Sequence, residues 1–558
     1  MLAVVGTGGA TSPSSSIRLN KGTNRVTATF RSPASGDAFV RVNWIPKGGL
    51  PTPIPLNALS HGPDRELESA DRLRMGRALF LESRCGKCHE PGPGAERNPE
   101  LALDAPSFEG IGARRNTRWM AEWILDPRAQ RSSAKMPRMF HGEAARGNAE
   151  AAAAFLASLR NGESTREIVE SSSDQVDGGK QLFENLHCGA CHDSPDGSEA
   201  SPVRVSLKQV QQKFPAGTLA AFLHSPELHY AWIRMPNFRL SEGEASQLAA
   251  FLNAHAEKPK APSESTDSSL AERGKRLVQI SGCLNCHSLK LENQFSAKPL
   301  SNLPTNEWSR TCLADTPAGS GPSPFFGFST AEREALRTFA AGDRASLSRF
   351  VPTEFAHRQM ANLKCRECHG KFEGYPSMEI LGGKLNPEWA TAFIAGRIPF
   401  KPRPWLPARM PNFPAIADGV GKALSMDYGY PPRNPTPPPV DLAAAKLGQK
   451  LVSADGGFSC ISCHAVGKAG VTLVFDSPGI NLAYVAERLH RSYFTRWLYS
   501  PLSVDPGTKM PVYFDELGRS SLSDIYEGDG AKQIEAIWEY LRLGDKMPLP
   551  AGAEPAQP

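Results

Sequence analysis

Residues 85–89 read "CGKCH", and the same spacing returns four times: "CGACH" at 188–192, "CLNCH" at 283–287, "CRECH" at 365–369 and "CISCH" at 460–464. Ten of the eleven cysteines in this 558-residue chain lie in these five runs. Zinc knuckles also use C-x-x-C, but they join two half-sites at short spacing and do not place histidine after every pair. A redox dithiol uses C-x-x-C too, yet five copies on one chain would be odd for that chemistry.

C-x-x-C followed directly by histidine is the attachment signature of c-type haem. The two thiols form thioethers to the porphyrin vinyls, and the histidine lies under the ring as an iron ligand. The sequence therefore predicts five covalently bound haem c groups. Their thioether pairs are Cys85/Cys88, Cys188/Cys191, Cys283/Cys286, Cys365/Cys368 and Cys460/Cys463, with His89, His192, His287, His369 and His464 as ligands.

Composition narrows the class. With 40% hydrophobic and 22% charged residues the chain is globular rather than disordered. The formal charge of +5 is spread along it, and no basic run with interleaved aromatics points to nucleic acid. No apolar run reaches the ~18 residues of a membrane span.

The five motifs start 82 to 103 residues apart, one unit per interval. Four are preceded by a short amphipathic helix with an early glycine: "MGRALFLESR", "GGKQLFENLH", "RGKRLVQISG" and "LGQKLVSADG". The glycine permits close helix–helix approach. The fourth copy, "RQMANLK", lacks the pattern. After each motif an aromatic helix follows, usually stopped by proline: "RWMAEWILDP", "TLAAFLHSP", "EWATAFIAG" and "YFTRWLYSP". A last helix closes each unit, and the fourth, "AIADGVGKALS", is expected to be short. Polar or proline-rich linkers separate the units.

This succession resembles class I cytochrome c domains over about residues 70–546. The resemblance implies a mainly α chain of five tandem small helical domains, at 70–163, 172–258, 266–345, 350–430 and 441–546. It also implies methionine as the second axial ligand. The Met-Pro pairs that lie 41 to 47 residues past the histidines give His89/Met136, His192/Met235, His369/Met410 and His464/Met510. Met139 is a rival to Met136.

The third copy departs from the pattern. Aligned on the last helices, "IRMPNFRLS" (233–241) and "GPSPFFGFS" (321–329) share proline, phenylalanine and serine, but Ser323 stands where Met235 does. The haem at His287 is therefore expected to have an open, water-bound or unusual sixth position, with His357, Met360 or Met547 as rival ligands. Trp308 matches Trp119 and Trp389, and Cys312 then falls on the face expected over the haem. Cys312 reads as a small buried hydrophobe, against a thiolate ligand or a redox-active thiol.

Residues 1–65 differ. "SIRLNKGTNRVTATF" and "DAFVRVNWI" alternate like strands joined by "RSPASG", with Val40, Val42 and Trp44 on one face. They resemble the last strands of a PA14-type β-sandwich, which implies a carbohydrate or a sugar-oxidising partner. "MLAVVGTGGA" has no basic n-region, so the export signal that a haem c protein needs is missing from the start of this chain.

The expected function is electron relay between a redox protein donor and acceptor outside the cytoplasm, in the periplasm or an equivalent space. The alternative is a haem enzyme reducing a small ligand such as peroxide at the third haem.

Overall fold

The computed structural model describes the chain except residues 1, 7–10, 14–17, 28, 32–33, 35–37, 39, 46–48, 55–57, 103, 161–170, 196–203, 259–267, 304–310, 373, 404–405, 407–408, 472–477 and 555–558. Trp308 and most of the expected linkers "NGESTREIVESSSDQ" (161–175) and "EKPKAPSESTDSS" (257–269) thus lie outside the described residues. The described chain is mainly helical, with one small sheet. It divides into two compact units, one of residues 1–61, 369–407 and 416–558, the other of residues 62–368 and 408–415.

In the unit of residues 62–368 the entry and closing helices pack in pairs. The helix Ser173–Asn185 precedes the second motif and packs on Glu242–His255, the last helix of the same copy. The first and third copies behave differently. Arg65–Glu82, which leads into the first motif, packs on Thr330–Gly342, the last helix of the third copy. Ser268–Ile280, which leads into the third motif, packs on Ala145–Ser158, the last helix of the first copy. A Cβ on Gly76 would stand 2.0 Å from the Ala335 carbonyl oxygen, and one on Gly274 would stand 1.9 Å from that of Ala151. The glycines therefore fix these two helix contacts, as the sequence anticipated, but between copies rather than within them. The entry helices of the expected domains 70–163 and 266–345 thus each pack on the other copy's last helix.

Serine N-caps explain what the third copy retains. Ser241 and Ser329 each accept the backbone N–H of the glutamate three residues on, and Glu244 and Glu332 return the bond to the cap. The serine of "GPSPFFGFS" is kept because it starts a helix.

A buried ion-pair set ties this unit together. Arg358 donates to Glu100 at 2.8 Å, with 8% and 5% of the two side chains exposed. Arg77 donates to Glu354 at 2.6 Å and to Asn98 at 3.3 Å. Removing one partner leaves a buried charge. Glu100→Ala is expected to cost about 3 kcal/mol, measured by denaturant unfolding, whereas Asp71→Ala at the exposed Arg74 pair should change little.

The other unit holds the sheet, in the order β2–β1–β3–β4 (Thr11–Pro13, Leu2–Gly6, Val40–Trp44, Thr52–Pro53), all antiparallel. Val40–Trp44 is a strand as expected, but its partner is Leu2–Gly6, with Val4 opposite Val42. The described residues of 18–30 contain no strand. Val40 and Trp44 face outward, 42% and 37% exposed, while Asn43 is buried. The helix Leu442–Val452 packs on Gly530–Leu541 around the largest apolar cluster, and the helix Arg491–Tyr499 completes it. The short helices Met378–Lys384 and Pro387–Ile394 pack on Ala417–Met426.

Candidate functional site

All five motifs fold alike. Each opens a single 3-10 turn, at Cys85–Lys87, Cys188–Ala190, Cys283–Asn285, Cys365–Glu367 and Cys460–Ser462. Each turn is entered through a left-handed residue: Arg84, His187, Gly282, Lys364 and Ser459, with φ between 54° and 82°. Four of these are not glycine, in a region that side chains enter reluctantly.

Each histidine then donates from Nδ1 to a backbone carbonyl. His89 meets Lys298 at 2.8 Å, His192 meets Val205 at 3.3 Å and His287 meets Pro106 at 2.7 Å. His369 meets Pro376 at 2.9 Å and His464 meets Ile480 at 2.7 Å. A proton fixed on Nδ1 leaves the Nε2 lone pair free for a metal, as ligating histidines require. Burial favours the neutral ring: His192 and His287 are lowered to about 4, by desolvation first. The thiols are half-buried, and Cys188, Cys283 and Cys460 are pushed up to about 12 by desolvation. A thiol whose ionisation is opposed by desolvation is a poor nucleophile, which disfavours the dithiol reading. Among the described residues no three histidine, cysteine or carboxylate side chains converge to hold a bare metal ion, so nothing completes a zinc knuckle.

In four of the five motifs the two cysteines are not equivalent, although the spacing alone presents them as one pair. Cys85, Cys188, Cys283 and Cys460 each pack on an apolar cluster, whereas Cys88, Cys191, Cys286 and Cys463 belong to none. Cys463 shows what the second position does instead. It ends its turn, with its N–H donating to the Cys460 carbonyl at 3.2 Å. Its own carbonyl accepts the Gly479 N–H at 2.6 Å, next to the bond that holds His464 on Ile480. Cys460 and Cys463 both lie near Tyr513, whose hydroxyl is pushed up by burial and then by these two thiols. None of the ten motif cysteines, Cys463 included, is joined in a disulfide.

The partner carbonyls repeat the exchange of helices. For the second and fifth motifs the carbonyl lies 13 and 16 residues from the histidine. His89 instead uses the third copy, at Lys298, and His287 uses the first copy, at Pro106.

The chain matches no family model, no curated protein and no solved structure.

Cations line two seams beside the motifs, and among the described residues Arg115, Arg131, Lys213, Lys384 and Arg488 form no ion pair with a carboxylate, the nearest influence being Asp505 on Lys384. In one unit the Asn116 backbone N–H donates to Lys213 at 3.1 Å, and its side chain donates to Gln211 and Gln212. Here Lys213 lies 5.0 Å from the Trp119 ring and Arg115 lies 4.5 Å from Phe214. In the other unit Asn386 N–H donates to Arg488 at 2.9 Å and His490 N–H donates to Lys384 at 3.0 Å, a reciprocal pair. Lys384 lies 5.1 Å from Tyr493, and Arg488 lies 5.3 Å from Trp389. Lys213 is held well below its ordinary value by desolvation, then by Arg115 and Arg131. Lys384 falls to about 7 by desolvation, then through Arg488 and Arg403, with Asp505 opposing them. Arg131 Nε, Trp389 Nε1 and Arg488 Nε are buried donors with no acceptor. Buried donors and cations are normally satisfied. The two carboxylates of a haem would supply what these seams lack, so the residues present fit that group.

The motifs also stand in neighbouring pairs. Asn285 of the third motif donates to Cys88 Sγ of the first at 3.2 Å, and Cys286 is pushed up to about 11 by burial and then by Cys88. Cys365 is pushed up to about 11 by burial, with Cys368 and Cys191 adding to it. The loops after the aromatic helices pair in the same way. Arg138 bridges Phe325, and Asn412 N–H donates to Asn237 at 2.8 Å.

The methionines distribute unevenly. Met235 packs on the cluster of the second motif with Cys188. Met510 packs with Cys460 and accepts the Trp497 indole N–H at 2.9 Å. Met136 and Met139 pack with Cys283 and Leu284 of the third motif, not with Cys85 of the first, so the expected His89/Met136 pairing is not what the packing brings together. Met410 lies in the segment 408–415 and His369 in the other unit. Met547 packs on the cluster of residues 381–541 that holds Met510. His357 is exposed on the helix Pro352–Asn362.

Cys312 is partly buried, and its thiol is pushed up to about 11, by desolvation and then by Cys88. It therefore lies beside the first motif rather than the third. One residue had no signal in the sequence: His141, whose Nε2 meets the Ser323 carbonyl at 3.0 Å while Nδ1 is buried without a partner.

Proposed function

We propose that the chain is a five-haem c-type cytochrome that relays electrons between extracytoplasmic redox proteins. What carries the reading is the fivefold identity of the motif: a left-handed entry, a 3-10 turn, and a histidine held by its Nδ1 on a backbone carbonyl. Each part suits covalent attachment of a haem and presentation of Nε2 to its iron. Covalently held haem supplies a one-electron store at each site, and the protein's share is to fix spacing, exclude water and set potential. Five class I cytochrome c-like domains are the architecture of this proposal, with His89, His192, His287, His369 and His464 as one set of ligands and Met136, Met235, Met410 and Met510 as the other. Met ligation favours raised potentials.

The motif pairs support a route that is not the order of the chain. The first motif adjoins the third, the cation seam at Asn116 joins the segment serving the third to the second, and the second adjoins the fourth. No described helix is long and apolar enough to cross a membrane. Partners are a redox donor and acceptor, and the small sheet is proposed to contact carbohydrate or a sugar-oxidising protein.

A reductive titration of the purified protein tests the relay. It should take up five electrons per chain, at potentials that are not strongly negative. Uptake at uniformly strongly negative potentials, or no redox-active absorbance, would overturn it. A second reading, reduction of a small ligand by a haem enzyme, is favoured by one observation: His141 beside Ser323 supplies the acid–base group that the sequence did not reveal. His141→Ala should then slow peroxide turnover while leaving the electron count unchanged.

A further inference from the structure

We infer that the first and third haem sites are composite, so that Met136 serves the haem of Cys283, Cys286 and His287, and the haem of Cys85, Cys88 and His89 is the one left open to a small ligand. This rests on the haem reading above and changes which site is open.

Four independent contacts agree. The helix before Cys85 closes on Thr330–Gly342, and the helix before Cys283 closes on Ala145–Ser158. His89 is held by Lys298 and His287 by Pro106. Phe108 stacks on the His287 ring at 4.3 Å, as a residue of the same site. The apolar cluster around Cys85 gathers Leu300, Leu313, Phe326 and Phe328 and contains no methionine, whereas the cluster around Cys283 contains Met136 and Met139.

In the second copy the methionine loop runs directly into the helix that closes the same haem site, from Met235 to the cap Ser241. By that rule the Ser323 loop, which runs into Ser329, covers the haem whose entry helix lies on Thr330–Gly342. That helix is Arg65–Glu82, so the Ser323 loop belongs to the first motif. A serine hydroxyl is a weak ligand for haem iron, and the site takes small neutral or anionic iron ligands such as carbon monoxide.

The test reads carbon monoxide binding to the dithionite-reduced protein and counts attached haems by mass. Wild type should show a shift worth about one haem in five. Cys85→Ala/Cys88→Ala should carry four haems and lose the shift; Cys283→Ala/Cys286→Ala should carry four haems and keep it. The opposite pattern, or no shift in wild type, overturns the inference while leaving the haem reading intact. A chain with no covalent haem overturns that reading itself.

Met136→Ala, which deletes no attachment site, guards against misfolded variants. It should raise the shift to about two haems in five. The gain should vanish in the Cys283→Ala/Cys286→Ala background and persist in Cys85→Ala/Cys88→Ala. Persistence in the former and loss in the latter would place Met136 on the first haem and refute the exchange.

Discussion

Cys283→Ala/Cys286→Ala should cut the haem of the first motif off from the others. The third motif is the neighbour that approaches it: Asn285 reaches Cys88 at 3.2 Å, and Cys286 is the thiol of another motif that bears on Cys85. In partly reduced protein loaded with carbon monoxide, a light flash that frees the ligand should let an electron leave that site before the ligand returns. The variant should show ligand recombination alone. Cys188→Ala/Cys191→Ala should keep the early electron phase, because that haem lies one step farther along. A full early phase in the Cys283→Ala/Cys286→Ala protein would refute the proposed route.

Gly76→Val should produce the largest loss of stability of any single substitution proposed for the helices. The added Cβ would meet the Ala335 carbonyl oxygen at 2.0 Å and the Phe339 Cβ at 2.6 Å. The carbonyl belongs to a helix backbone and cannot swing away, so the helix pair must separate. The cost should reach or exceed the upper end of the ~1–3 kcal/mol of ordinary overpacking. Gly147→Ala, with nothing nearer than 3.9 Å, should be neutral or stabilising by up to ~1 kcal/mol. The exchange of helices also predicts a coupling: Gly76→Val combined with Phe339→Ala should be non-additive, whereas Gly76→Val with Phe155→Ala should add. Phe155 lies against Gly274 instead. Denaturant midpoints of the single and double variants decide between the two.

Much of this was legible in the residues. The five motifs, the glycines of the entry helices, the aromatic helices and the closing helices all occur where spacing and periodicity put them. The short fourth closing helix, Ala417–Met426, is also present as expected. What could not be read was which helix closes on which. Gly76, Gly179, Gly274 and Gly448 all meet a carbonyl of a closing helix at about the same distance. Repeats with such similar contact chemistry carry no local mark of partner choice, and exchange of like elements costs little. For the same reason the residues alone assign the Ser323 loop to the third motif, whereas it runs into Thr330–Gly342, the helix on which Arg65–Glu82 packs. The unequal surroundings of Cys460 and Cys463 were hidden too, because Tyr513 and Gly479 lie outside the motif that names the pair. The seam cations were invisible because Lys213 and Arg488 are remote in sequence from the rings they approach. The strand Leu2–Gly6 was missed because a short apolar run flanked by glycine has no alternation to betray it.

The central claim is that all five C-x-x-C-H runs carry covalent haem. Protease digestion of the exported, mature protein followed by mass spectrometry of the cysteine peptides tests it most directly. Five peptides should each carry one haem on two thioethers, with Cys312 alone unmodified. Free thiols, disulfides or zinc on these ten cysteines, in protein made alongside a working haem-attachment apparatus, would contradict it.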